Sequence, residues 1–114
     1  MQKDVKIIVK TLNLNSYKID SATNTISYNG IEIEDNAKKY VKKIFDVVKN
    51  WNDNILSNDS IFDGSQYYIK IVINNEPVNY EFKNKFPENF DEFLDIMEDV
   101  KNNATKFQFS RYKI

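Results

Sequence analysis

The sequence predicts an α+β fold: an antiparallel sheet of about four to six strands with two amphipathic helices on one face. Three observations carry this. Segments with apolar residues at every second position recur along the chain. Two segments switch to helical spacing. A hairpin signal, Asn29-Gly30, joins neighbouring strand patterns.

The elements follow in order. Residues 4–14 are rich in β-branched side chains, and Val5, Ile7 and Val9 alternate with Lys6 and Lys10, as a half-buried strand requires. Residues 17–20 and 24–28 continue the pattern with Tyr17, Ile19, Ile26 and Tyr28, and Ile31 and Ile33 follow the turn. The period then changes. Ala37, Tyr40, Val41, Ile44, Val47, Val48, Trp51 and Ile55 fall on one stripe at 100° per residue, predicting a helix of about six turns with Glu34 and Asp35 at its positive end. Residues 57–66 read as a loop, and residues 67–73 and 78–82 as two strands joined through Asn74-Asn75-Glu76-Pro77. Pro77 has no N–H to donate, which places it in the turn or at a strand edge. Asn89, with Glu92 three residues on, is a capping pattern for a second helix whose stripe is Phe90, Phe93, Ile96, Met97 and Val100. Asn102-Asn103 is expected to end it. Residues 104–113 alternate again, with Phe107 and Phe109 on one face, so a last strand is expected.

Composition narrows the function. With 114 residues the chain is of single-domain size, residues 1–114, and long enough for a core without staples. It has no Cys and no His, which removes disulfides, thiolate catalysis, the commonest metal ligands and the usual general base. Only 2 Gly are present, too few for Gly-rich phosphate loops. No cofactor is expected. The net charge is −1, which gives no global attraction to nucleic acid or anionic membranes, and Arg111 is the only Arg. No apolar run reaches the length of a signal core or a membrane span, so the expected location is the cytoplasm, with no membrane partner.

Several residues between 40 and 100 form a recognisable set: Trp51 late in the first helix, Asp63-Gly64, Tyr67 or Tyr68 in the next strand, then Asn84-Lys85-Phe86-Pro87-Glu88-Asn89-Phe90 and Phe93. The set resembles a small domain of low-GC Gram-positive bacteria to which no activity is assigned. Tyr stands where that pattern has Trp in the strand, and Lys83 where it has Gly before Asn84. The resemblance implies a fold and no chemistry. The same residues have plain physical roles: Gly64 can take a left-handed turn, and Phe86 can pack beside Phe90.

Four groups could carry a function. Asp59 and Asp63-Gly64 suggest a calcium loop, but the required oxygen ligands at positions 61 and 70 are Ile61 and Lys70. Carboxylates are plentiful, yet hydrolysis by a carboxylate pair needs two of them in a pocket with separated pKa values, and the candidates fall on a solvent-facing helix surface. The first helix carries a basic face of Lys38, Lys39, Lys42, Lys43 and Lys49, and the C-terminal segment adds Lys106, Arg111 and Lys113. No aromatic residue lies within the helical Lys stripe to stack a base. The second helix carries acids opposite its apolar stripe: Asp91, Glu92, Asp95, Glu98 and Asp99. With the helix ending at Asn102-Asn103, Glu98 and Asp99 sit near the negative end of the dipole, at a cost of about 0.3–1 kcal/mol. That hints at selection for something other than stability.

The reading that follows is a non-enzymatic protein–protein interaction module using the acidic face, for instance a small phage- or mobile-element-encoded inhibitor or immunity-type protein. The alternative is a nucleic-acid contact through the Lys face and the basic C-terminal strand. The oligomeric expectation is a monomer, or a homodimer paired through an edge strand.

Overall fold

Two Asn-containing turns set the geometry of the sheet. In the computed structural model, which describes residues 4–58 and 64–112, Asn29 and Gly30 have φ of 50° and 85°, and Asn74 and Asn75 have φ of 50° and 70°. Two successive positive φ values make type I′ turns, whose twist matches that of the strands they join. The first closes β3 (Thr25–Tyr28) onto β4 (Ile31–Glu34), and the second closes β6 (Gln66–Ile73) onto β7 (Glu76–Lys83). With β1 (Val5–Thr11), β2 (Ser16–Asp20) and the short β5 (Ile55–Ser57), they form one seven-stranded sheet in the order β4-β3-β2-β1-β6-β7-β5. Every pairing is antiparallel except β5 on β7. Pro77 lies inside β7 opposite Val72, one pair beyond the two-residue turn. In such a hairpin that pair is not hydrogen-bonded, so the missing N–H falls on the outer edge of β7.

One face of the sheet is the core. Ile7 stands opposite both Ile19 and Ile71, and all three are buried along with Val5, Val9, Ile26, Ile69 and Phe82. Two helices cover this face: α1 (Ala37–Val48) and α2 (Phe90–Tyr112). Along α1, Ala37, Tyr40, Val41, Ile44, Val47 and Val48 are buried, as the stripe predicts. Its first turn is capped from a distance, by Asn24 Oδ1 accepting the Ala37 N–H at 3.0 Å. At the start of α2, Asn89 is left-handed (φ 65°) and its carbonyl accepts the Glu92 N–H at 3.1 Å.

The structure corrects two expectations. The helix predicted from Ala37 through Ile55 stops at Val48. Asn50, Asn52, Asp53 and Asn54 crowd the continuation with side chains that compete for backbone hydrogen bonds. Trp51 stays buried, while Ile55 leaves the stripe, enters β5 and is 70% exposed. The expected C-terminal strand over 104–113 is instead the continuation of α2, which runs to Tyr112. Val100 and the fully buried Ala104 extend the helical spacing of Phe93 and Met97. The Asn102-Asn103 pair is absorbed because Asn103 Nδ2 donates to the Tyr40 hydroxyl on α1. Two residues on, Thr105 Oγ1 donates to the Lys101 carbonyl at 2.8 Å.

Trp51 closes the core where the end of α1, β7 and the start of α2 meet. Its ring lies 5.3 Å from Tyr80, 5.2 Å from Phe82, 5.9 Å from Phe90 and 5.5 Å from Phe93. Phe86 stacks on Phe90 at 4.8 Å, as the sequence suggested, and meets Tyr67 edge-on at 6.0 Å. A Cβ at Gly64 would collide with the Asn84 side chain, so these two residues of the recognised set also meet. The Trp51 indole N–H has no acceptor among the described residues, so the ring acts by packing alone. Trp51→Ala is therefore expected to lose about 3–5 kcal/mol in guanidinium unfolding followed by circular dichroism. A loss under about 1 kcal/mol would place the ring outside the core.

Candidate interaction surfaces

The structure places all five acids of α2 (Asp91, Glu92, Asp95, Glu98 and Asp99) in solvent. At 100° per residue they share an arc of about 120° opposite the buried stripe, and they span about 12 Å of the axis. None forms an ion pair among the described residues. Because α2 continues to Tyr112, Glu98 and Asp99 lie mid-helix. The dipole penalty falls off within the last turn, so the argument that set these two acids apart lapses.

The basic face of α1 is also solvent-exposed, at Lys38, Lys39, Lys42, Lys43 and Lys49. Part of its charge is engaged at home: Lys49 Nζ is 3.6 Å from Asp46, and Lys39 Nζ lies 5.7 Å from the Tyr40 ring. The expected basic strand does not exist to extend it. Lys106 is exposed on α2, the Arg111 side chain is not described, and Lys113 lies outside the described residues. The Asp59–Asp63 segment considered for calcium also lies outside them. Among the described residues no three carboxylates converge to hold a metal ion.

Asp20 is the single buried carboxylate among the described residues. Its Oδ1 accepts the Ala22 N–H at 3.0 Å, which closes the turn after β2, and its Oδ2 lies 4.0 Å from Lys6 Nζ. Both oxygens are thus occupied by structural partners.

The surface that sequence reasoning missed is the other face of the sheet. Both helices lie on the core face, so the opposite face has no second layer among the described residues. The β1–β6 register sets Lys6 opposite Val72, Ile8 opposite Lys70 and Lys10 opposite Tyr68. On the other side of β1, Lys18 stands opposite Ile8 and Asp20 opposite Lys6. The result is a checkerboard of lysines and apolar side chains. The alternation runs on to Leu12, 56% exposed, whose N–H donates to the Gln66 carbonyl at 3.0 Å. Toward β5, Tyr68, Glu81 and Ile55 follow one another across three strands. They line an open concavity of about 430 Å³ shared with Ile8, Lys10, Asn54, Lys70 and Asn79. Asn54 Nδ2 donates to the Asn79 carbonyl at 3.0 Å and fixes one wall. Gln66 Nε2 donates to the Tyr68 hydroxyl and steadies the ring.

Four lysines therefore surround Ile8. Lys18 and Lys70 are each diagonal neighbours of Lys6 and Lys10, at roughly 7–8 Å between backbones. Each diagonal costs about 0.5 kcal/mol in water before salt screening. Asp20 relieves Lys6 alone; Lys10, Lys18 and Lys70 have no ion-pair partner among the described residues.

No family model, curated protein or solved structure matches the chain. No helix among the described residues is long and apolar enough to cross a membrane.

The acids of α2 also bear on the tyrosines beneath them. Burial chiefly, then Tyr28, Tyr67 and Glu98, push the Tyr17 phenol from 10.0 up to about 12. Tyr40 is raised by burial, partly offset by its hydrogen bond with Asn103. A raised folded-state pKa means that the native chain holds the proton more tightly than the unfolded one. The stability from Tyr17 is thus fully present below pH 10 and is lost as pH climbs towards 12. Tyr17→Phe is expected to flatten the fall of unfolding free energy across that window, read from guanidinium titrations at stepped pH. An unchanged slope would mean that Tyr17 titrates as a free phenol.

Proposed function

We propose that the protein is a non-enzymatic module that binds another protein, and that the uncovered face of its sheet is the contact surface. One observation carries the reading: among the described residues this face has no second layer and keeps Leu12, Ile55 and Tyr68 exposed beside Lys10, Lys18 and Lys70, which have no ion-pair partner there. Apolar centres within a polar surround are the anatomy of protein interfaces. Hydrolysis has less support, since Asp20 is bound to the Ala22 N–H and faces Lys6. Nucleic-acid binding also has less, since Tyr68 is the one aromatic on the checkerboard and Glu81 lies directly opposite it. A small inhibitor or immunity-type protein, carried by a phage or mobile element, is the form of module that its size suits. The acidic stripe of α2 is a second candidate contact on the opposite side of the molecule.

A photo-crosslinking amino acid in place of Tyr68, introduced in the source cell, tests this reading. A discrete adduct that survives nuclease and is removed by protease is expected. Reversing Asp95, Glu98 and Asp99 to Lys should leave both fold and adduct intact. Loss of the adduct in that variant would move the contact to α2, and a nuclease-sensitive adduct would replace the reading with nucleic-acid binding.

A further inference from the structure

We infer that the partner presents an acidic segment carrying an apolar anchor residue, which lies across the strands of the bare face. The inference rests on the reading above and adds the partner's chemistry. The anchor fits the concavity between Ile55 and Tyr68, two large apolar side chains that are both exposed. Carboxylates then meet Lys10 and Lys70 beside the concavity and Lys18 beyond them.

The geometry also sets the spacing. From Tyr68 on β6 to Lys18 on β2 the chain must cross β1. That is two strand spacings, about 10 Å, with an offset of two residues along the strands, about 7 Å, since Tyr68 faces Lys10 and Lys18 faces Ile8; the span is about 12 Å, or about three to four residues of extended peptide. The acids therefore start immediately after the anchor and extend about three to four positions from it. Charge complementarity picks this occupant over others. Three ammonium groups without ion-pair partners call for negative charge, and Glu81 between Ile55 and Tyr68 keeps that charge toward the lysines and leaves the concavity to an uncharged anchor, whereas a single-stranded nucleic acid would find Tyr68 alone to stack on. A second copy of the chain could offer its α2 acids, but between Asp91 and Asp99 that stripe carries no apolar side chain within its arc to fill the concavity.

Fluorescence anisotropy with labelled peptides tests the proposal. The probe is a leucine followed by three glutamates; its controls carry glutamines for the glutamates or serine for the leucine. Lys10→Glu combined with Lys70→Glu is expected to weaken the acidic probe at least about tenfold. Ile55→Asp should do so for the leucine probe and leave the serine control unchanged. Circular dichroism verifies the fold, and Lys10→Gln with Lys70→Gln serves if the reversal does not fold. Absent binding, or equal binding of the glutamate and glutamine probes, overturns the proposal. So does a preference for oligothymidylate, or a dimer in sedimentation that the same lysine variant abolishes. If the acidic probe fails while a protein adduct still forms at position 68, the partner has other chemistry and the module reading stands. If no protein adduct forms, both fail.

Discussion

Seven consecutive residues of β1 pair with seven of β6, from Val5 opposite Ile73 to Thr11 opposite Tyr67. This contact joins an N-terminal meander, β1 to β4, to a C-terminal hairpin, β6 and β7, and without it there are two small sheets. Closing the loop between them costs roughly 3–4 kcal/mol of chain entropy. The apolar rows it brings together offset that cost, since Ile7, Val9, Ile69 and Ile71 each become almost fully buried. The register also has no slack. A slip of one residue would turn Ile7 and Ile71 outward and drive Lys6 and Lys70 into the core.

The same register makes the bare face. Each strand has one apolar set and one mixed set, and the pairing lines up both at once. The helices can cover only one side, because α1 leaves β4 at Asn36 and α2 is drawn to the same side by Phe90 and Phe93 packing on Trp51. Trp51 is thus the second fixed point. It ends the buried run of α1, receives the start of α2 and lies against Tyr80 and Phe82 of β7. Seating both helices there leaves the opposite face, among the described residues, to its own side chains.

Much of the fold was legible because it is local. Asn29-Gly30, the alternation Val5-Ile7-Val9, and the stripes from Ala37 to Val48 and from Phe90 to Val100 each declare their structure within about a dozen residues. What failed was decided at longer range or by neighbours that compete. The Asn pair at 102–103 looks like a stop until Tyr40 on α1 supplies a partner for Asn103. Alternation at Phe107 and Phe109 imitates a strand, but the helical spacing through Val100 and Ala104 carries the backbone past it. β5 is only three residues long and pairs parallel to β7, which no local pattern announces. The acidic and basic helix faces could be read off a helical wheel. The checkerboard could not, because it is spread over β2, β1 and β6, and the sequence does not state which strands are neighbours.

A lysine array on a sheet has an ordinary use, and the comparison with it sharpens the functional argument. Lysines discourage edge-to-edge association when they sit on outer strands. Here Lys6, Lys10 and Lys70 occupy β1 and β6, which are flanked by strands on both sides. They protect no edge. Solubility alone would be served as well by mixed signs, which would remove the repulsion around Ile8. The arrangement keeps one sign on neighbouring central strands, leaves three of its four charges without a carboxylate among the described residues, and places them beside exposed Tyr68 and Ile55. A self-repelling patch next to exposed apolar surface is doubly unfavourable for the isolated chain, and a single ligand that is both acidic and apolar relieves both costs at once.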